Sequence, residues 1–383
     1  MLPDYQLLRI PGPTPIPPSV MRAMNQPMIG HRSASFQQLL ARVAPRLKPL
    51  FGTEQDVLIL TGSGTLALEA AVVNALDEGE AALVLVTGAF GDRFRKMCQT
   101  YGIETHVLES EWGCAFDLEQ VQAYLQQHSN IKAVFATYCE TSTAVLNPIA
   151  ELAEVVKQHS DALVIVDAVS CLGAVETEMD KWGIDILVTG SQKALMLPTG
   201  LAFAAISEQG WRKMEQNSRP RFYLDLRRYQ TSLGDHSTPF TPAVSLVMGL
   251  EQALNLIEEE GLDQVIKRHQ LMKEMTRQAF KALDLPLLTS DEDASPTVTA
   301  VRPSNFKADD LRSLLRKTFG LTLAGGQQKL KGEIFRVGHM GYCSPLDVLQ
   351  TITAIEVGLV RLGVNIKLGK GTQAAEEVLV HDL

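Results

Sequence analysis

The sequence predicts an α/β fold: a large domain built on a mostly parallel seven-stranded sheet, then a smaller α+β domain at the C-terminal end. Three observations predict it. Seven short apolar runs between Val57 and Ile206 alternate with amphipathic stretches of helical period. That rhythm stops after Trp211, where two long amphipathic stretches lead into short strands and helices. The chain has 383 residues, 45% hydrophobic and 21% charged, enough for a large core and two domains.

Residues 9–18 carry five prolines and a glycine, which exclude helix and central strand and leave an extended arm. Such an arm suits a rigid spacer, a cleft lining or a segment that crosses a partner. A helix starts within Ser19-Val-Met-Arg-Ala-Met24. A polar loop, Ile29-Gly-His-Arg-Ser33, then offers His31 and Arg32 as anion donors, and a helix covers 34–51. Strands are expected at 57–60, 82–86, 104–108, 132–136, 163–166, 184–188 and 201–206, with helices at 65–76, 92–101, 118–127 and 149–158 between them. Long helices at 244–259 and 262–283 lead to strands at 297–301, 321–324 and 334–337 and helices at 308–319 and 346–362. Residues 368–372 read as a loose linker and the last eleven as a frayed tail. The resulting division is an arm over 1–18, a large domain over 19–260, a small domain over 261–367 and a tail over 368–383.

Bulk properties exclude several function classes. The formal charge is −9, with no basic block or basic-aromatic stripe, which argues against nucleic acid as a partner. The five cysteines (Cys98, Cys114, Cys139, Cys171, Cys343) are scattered, with no C-x-x-C pair. That pattern argues for a reducing compartment and against iron–sulfur or structural zinc sites. No apolar run reaches the roughly 18 residues of a membrane helix. Met1-Leu-Pro-Asp4 lacks signal-peptide character, and Val380-His-Asp-Leu383 matches no lipidation or peroxisomal signal. The expectation is a cytoplasmic protein with no membrane partner and no bound metal.

Chemistry is expected at the carboxyl ends of the strands, where ligands collect in open α/β sheets. Ile184-Asp-Ile-Leu-Val-Thr-Gly-Ser-Gln-Lys-Ala194 reads as a buried strand broken by Gly190 and Ser191, with Lys193 in the turn beyond. A lysine there loses water around its amine. Its pKa falls and it becomes a nucleophile toward a carbonyl, as an aldehyde cofactor held in a Schiff base requires. A solvated loop lysine fits the same segment. Leu163-Val-Ile-Val-Asp-Ala-Val169 ends an apolar strand on Asp167. A buried carboxylate needs a cation, and a protonated pyridine nitrogen is one. An N-cap or a metal ligand also fits, although no second carboxylate or histidine lies close in sequence. Leu60-Thr-Gly-Ser-Gly-Thr-Leu-Ala-Leu68 is a strand, a glycine turn and a helix start, with Ser63 and Thr65 as hydroxyl donors. It suits a phosphate, or simply an ordinary helix start; it is neither a Walker loop nor a complete dinucleotide fingerprint. In Thr87-Gly-Ala-Phe-Gly-Asp-Arg93, Phe90 is positioned either to stack on a flat ring or to join the core. Tyr138-Cys-Glu-Thr-Ser-Thr-Ala144 reads as a turn too polar to bury without ligand or solvent, with Thr141 or Ser142 as donors to a ring oxygen; a capped loop fits equally.

Together these residues resemble the class V pyridoxal-phosphate aminotransferases, most closely the alanine–glyoxylate and serine–pyruvate type. The resemblance runs from Pro11-Gly-Pro13 to the helix ending near Leu362. It rests on Gly62-Ser-Gly-Thr65 with Ala67-Leu-Glu-Ala70, Glu140-Thr-Ser-Thr143, Val166-Asp-Ala-Val169 and Gly190-Ser-Gln-Lys193-Ala-Leu195. It implies the fold type I architecture of pyridoxal-phosphate enzymes, pyridoxal 5′-phosphate as cofactor, and a homodimer with sites at the subunit interface. By the same resemblance Lys193 forms the Schiff base and Asp167 pairs with the pyridine nitrogen. Phe90 and Val169 cover the two ring faces, and Thr141 lies near the ring hydroxyl. Ser63, Gly64, Thr65 and Gln192 hold the phosphate. Arg336, in Ile334-Phe-Arg-Val-Gly338, and Gly12 bind the substrate, Arg336 as a bidentate fork for its carboxylate. The family often stacks a tryptophan where Phe90 stands, and has a serine where Thr141 stands. A tyrosine and a threonine of the neighbouring subunit often complete the phosphate site. Thr238-Pro-Phe-Thr-Pro242 occupies that region here, so Thr238 or Thr241 is expected there.

The implied reaction is a ping-pong transamination from alanine or serine to glyoxylate or pyruvate. Arg336 is the clear clamp for one carboxylate; His31 and Arg32 of an adjoining subunit are the candidates for a second. Two other readings compete. A cysteine desulfurase needs a nucleophilic cysteine on a mobile loop, for which Cys343 is the nearest candidate, and usually a histidine where Gln192 stands. Some cyanobacterial relatives carry a soluble-hydrogenase subunit label, which would make the chain an accessory subunit.

Overall fold

The computed structural model describes residues 6–382. The N-terminal tetrapeptide, the first five residues of the arm, and Leu383 lie outside them. Seven strands form the main sheet. In spatial order they are Val57–Gly62, Gly200–Ile206, Ile186–Gly190, Leu163–Asp167, Ile131–Thr137, Ala81–Val86 and Glu104–Glu109. All neighbours are parallel except Gly200–Ile206, which runs against both strands beside it. The reason is chain length. Residues 191–199 are too few for a crossover, which needs about a dozen residues, so the chain must turn straight back.

Alternate side chains of each strand enter different apolar layers, as a sheet covered on both faces requires. Val57 and Ile59 belong to one layer and Leu58 and Leu60 to the other; Val164 and Val166 face one, Leu163 and Ile165 the other. The helices Gly64–Ala75 and Ala89–Thr100 connect successive strands, each starting at the carboxyl end of the strand before it. Ser33 caps Ala34–Phe51 and Asp117 caps Leu118–Gln127, both through side-chain oxygens accepting backbone N–H groups.

A smaller four-stranded sheet, ordered Leu7–Arg9, Leu321–Gly325, Phe335–Gly338 and Val298–Val301, has its own apolar core with Leu262–Ala282, Ala308–Phe319 and Pro345–Arg361. The N-terminal Leu7–Arg9 pairs in parallel with Leu321–Gly325, so the arm is tied to the C-terminal domain. Among the described residues no helix is long and apolar enough to cross a membrane.

Three expectations need correction. The linker and frayed tail from 368 form the helix Lys370–Asp382, with Gly371 and Ala375 buried. Its anchor is Glu356, whose carboxylate accepts from Gly369 N, Gly371 N and Thr372 Oγ. The polar turn at 138–144 is buried, paired as Cys139–Glu140 with Val145–Leu146. The stretch expected as a strand over 184–188 lies two residues later, at Ile186–Gly190. Asp185 precedes it as a buried anchor, accepting from Lys157 Nζ, Val164 N and Ser207 Oγ.

Candidate active site

Lys193 lies just past Ile186–Gly190 in a loop clamped from two sides. Ser191 Oγ donates to the Pro198 carbonyl at 2.6 Å and accepts from Leu201 N at 3.2 Å. From the arm, Thr14 N donates to Gln192 O at 3.1 Å and Thr14 Oγ to Lys193 O at 3.0 Å. The amine donates to the Pro11 carbonyl. Lys193 is 8% exposed. Burial lowers its pKa from 10.5 to about 8, against the pull of Cys139 and Asp167. The solvated-loop alternative is therefore excluded.

Asp167 ends its strand 3% exposed, with Oδ1 accepting from Val169 N at 2.8 Å. Burial raises its carboxyl to about 6, offset in part by that N–H. Lys193 and Asp167 line one cavity of about 150 Å³ together with Gly12, Gly64, Thr65, Phe90, Val169 and Gln192. Its close packing depends on missing side chains: a Cβ on Gly64 would sit 2.8 Å from Val169 Cγ2, and one on Gly12 2.7 Å from Lys193 Nζ.

A second cavity, about 320 Å³, shares Gly12, Phe90 and Lys193 with the first and adds Thr141, Arg312, Gln327 and Arg336. Arg336 is 4% exposed. Nε and Nη2 donate to Gly325 O at 2.9 and 2.7 Å, and Nη1 to Thr141 O at 2.7 Å. Among the described residues it forms no ion pair: its hydrogen bonds go to carbonyls, and the buried Glu140 carboxylate offsets from a distance part of the cost of burying its charge. Arg312 is different, being tied to Asp309. A larger cavity, about 660 Å³, lies between the arm and Gly341–Ser344, and there Arg9 is paired with Asp347 and Arg268 with Glu260.

Other candidates fall elsewhere. Ser63 occupies the N-cap position of Gly64–Ala75 and makes no side-chain cap bond. The Thr141 hydroxyl donates to Ser170 Oγ. Thr238 is buried, its Oγ donating to Phe240 O, while Thr241 is exposed; neither lines these cavities. Arg32 donates to Ser237 Oγ and Thr238 O, so it holds that loop; His31 lines neither cavity. Cys343 is buried, its thiol pushed up to about 11 by desolvation, and lies outside both cavities, which removes the candidate nucleophile of a desulfurase.

Three residues escaped the sequence reading. Ser170 and Arg93 line the first cavity. Glu140, fully buried, accepts from Phe90 N, Gly91 N and Ser142 N and so anchors the helix that carries Phe90. Arg93 had a visible signal: it stands three residues after Phe90, on the same helical face.

The first cavity's donors fit pyridoxal phosphate. Its lining offers a buried amine and a buried carboxylate. It also offers Gly64 and Thr65 at the start of a helix, and the Gln192 amide, whose Oε1 is buried with no partner among the described residues and whose NH2 would donate there after a flip.

Comparison with known proteins agrees. The family model for aminotransferase class-V matches residues 7–343. A "soluble hydrogenase, small subunit" from a Synechococcus strain is 44% identical, over 98% of this chain and 99% of its own. The L-aspartate–glyoxylate aminotransferase of Paracoccus denitrificans is 34% identical over 96% and 94%. Among solved structures, the pyridoxamine–pyruvate aminotransferase of Mesorhizobium loti is 30% identical, covers 100% of both chains and superposes with a TM-score of 0.95. The chain thus belongs to the class-V aminotransferase family and is a pyridoxal-phosphate-dependent aminotransferase.

Proposed function

We infer that the protein moves the amino group of a small amino acid, alanine or serine, to glyoxylate or pyruvate, the first product leaving before the second substrate enters. The observation that carries this reading is the meeting of Lys193 and Asp167 in one cavity that shares three residues with the Arg336 cavity. When bound, pyridoxal phosphate supplies an aldehyde that takes up amino groups and a ring that withdraws electrons. The chain supplies the rest. With its pKa lowered to about 8, the Lys193 amine is partly neutral near pH 7 and able to attack a carbonyl. The same amine would serve as the base that takes the proton from the donor's Cα and, rather than returning it there, delivers it to the carbon that bore the aldehyde oxygen. Asp167 keeps the proton on the ring nitrogen, since a buried carboxylate favours a cation beside it. Phe90 and Val169 cover the ring, Thr141 lies near its hydroxyl, and Ser63, Gly64, Thr65 and Gln192 hold the phosphate. In a homodimer, Thr238 or Thr241 of the neighbouring subunit completes that end.

The Arg336 fork receives the substrate α-carboxylate beside Gly12. One arginine with no carboxylate ion pair among the described residues suits a donor with one carboxylate; aspartate requires Arg312 to leave Asp309. The acceptors follow the relatives' names, one a glyoxylate and one a pyruvate aminotransferase.

Mixing the protein with alanine, serine, aspartate and cysteine, then following loss of the aldehyde absorbance and formation of the oxo acid, tests this reading. Conversion by alanine or serine, reversed by glyoxylate or pyruvate, is expected. Conversion by aspartate alone refutes the small donor, and sulfide release from cysteine revives the desulfurase reading. Lys193→Ala is expected to abolish turnover and the aldehyde's lysine-bound absorbance. Metal analysis with hydrogen uptake tests the hydrogenase label.

A further inference from the structure

Arg93 stands apart from the other cations of its helix, Ala89–Thr100. Its neighbours Arg95 and Lys96 both pair with Asp92. Arg93 forms no salt bridge among the described residues, although its charge acts from a distance on the buried Asp167 carboxylate, lowering its pKa against the rise that burial causes. Its guanidinium lies 4.7 Å from the centroid of the Phe90 ring, and Nη1 donates to Thr65 Oγ at 3.2 Å. Stacking on an aromatic face fixes the plane of the guanidinium and leaves its remaining donors free. Arg93 lines the first cavity with Gly64, Thr65 and Gln192, and it does not line the second, which holds Arg336. Apart from Lys193, it is the one cation lining that first cavity among the described residues. A second polar group lining the same cavity lacks a partner: Gln192 Oε1 is buried with no hydrogen bond among the described residues, and amide nitrogen and oxygen exchange places by a simple flip.

We propose that Arg93 is the cation that binds the cofactor's phosphate, so that the site selects the phosphorylated form of the vitamin over the unphosphorylated one. This rests on the reading of the cavity as the pyridoxal-phosphate site. A phosphate monoester carries about −1.5 to −2 charges at neutral pH. A helix start and hydroxyl donors stabilise part of that charge, and an unpaired planar guanidinium supplies a full positive charge with parallel donors. The Thr65 hydroxyl, held by Arg93, then has its own proton free for the same phosphate. Arg93 acts by ground-state binding and takes no part in proton transfer.

The competing role for Arg93 is purely mechanical: it backs the Phe90 ring. The two roles separate when the ligand loses its phosphate. The full-length protein, freed of cofactor, is titrated with pyridoxal phosphate and separately with pyridoxal, bound ligand being measured by equilibrium dialysis. Arg93→Gln is expected to weaken pyridoxal phosphate about tenfold or more and pyridoxal by no more than about twofold. Arg93→Lys, which keeps the charge and loses the fork, falls between; it gives the same comparison if Arg93→Gln does not fold. Equal losses for both ligands would show that Arg93 only supports Phe90, and no loss for either would also overturn the proposal. Failure of the unsubstituted protein to bind pyridoxal phosphate would sink the cofactor reading instead.

Discussion

Gly12 has room for hydrogen alone. A Cβ there would lie 2.5 Å from Lys193 Cδ, and φ is +106°, a conformation L side chains rarely adopt. The lysine tail is flexible, but it is the part that must stay in place. Gly12→Ala is expected to cut turnover by about 100-fold, as a misplacement near 1 Å does, with a much smaller loss of melting temperature. Steady-state rates beside thermal unfolding check this; an unchanged rate would mean the amine is not held by the arm. The two buried charges also set a pH profile for the cofactor-free protein. Folded Asp167, at about 6, keeps a proton between pH 3.8 and 6 that the unfolded chain has lost, so its contribution to stability falls as pH rises through that window. Folded Lys193, at about 8, has released a proton between pH 8 and 10.5 that the unfolded chain retains, so its contribution rises with pH there. Each change is worth roughly 3 kcal/mol. Urea unfolding from pH 4 to 10.5 should therefore show this pair's contribution falling as pH rises to 6 and climbing as pH rises above 8, and Asp167→Asn should remove the acid limb alone. Both residues were legible from the sequence, because an apolar strand ending in a carboxylate and a lysine after a glycine break are local patterns. Their meeting in one cavity had no local pattern behind it and was expected from the family resemblance alone.

At the scale of elements, the start of Ala89–Thr100 hangs on Glu140. Its carboxylate accepts the N–H groups of Phe90 and Gly91, the orphan donors of a helix N-terminus, and also that of Ser142. Gly88 leaves room for this approach, since a Cβ there would lie 2.5 Å from Glu140 Cγ. Glu140→Ala leaves buried donors unsatisfied and is expected to cost at least about 2 kcal/mol in urea unfolding. Because Phe90 loses its anchor, cofactor affinity should fall as well. A variant that unfolds at the unsubstituted protein's midpoint would show that the helix is held by its packing alone. The polarity of 138–144 was read as a reason for exposure or a ligand. The structure satisfies it internally instead, through Thr143 Oγ donating to the Thr87 carbonyl and Ser142 Oγ accepting from Ala89 N. Partners fifty residues away in sequence leave no local trace, whereas the strands and helices of the main sheet, set by alternation and helical period, emerged within a few residues of their bounds.

Across the whole molecule, the N-terminal arm joins the two domains, and the C-terminal helix packs within the small one. The arm leaves the small sheet at Arg9 and passes Gly338, where a Cβ would meet Ile10 O at 2.3 Å. It then delivers the Pro11 carbonyl to Lys193. At the other end, Lys370–Asp382 packs on Leu262–Ala282, and a Cβ on Gly371 would sit 2.8 Å from Leu283 Cδ1. Deleting 368–383 strips the buried Glu356 carboxylate of its three donors and is expected to destabilise the protein by roughly 3 kcal/mol or more, read by thermal unfolding. A truncated chain as stable as the full one would return this segment to the status of a tail. By itself the sequence determined the layers, the parallel rhythm, the family resemblance and the chemical types at the strand ends, because those follow from short-range patterning. Only the tertiary structure decided how Lys193 and Asp167 line one cavity, that Arg336 and Arg93 form no salt bridge among the described residues, and that the last helix is folded. Each of these depends on groups brought together from distant parts of the chain, where burial and missing partners, rather than local propensity, set the energy.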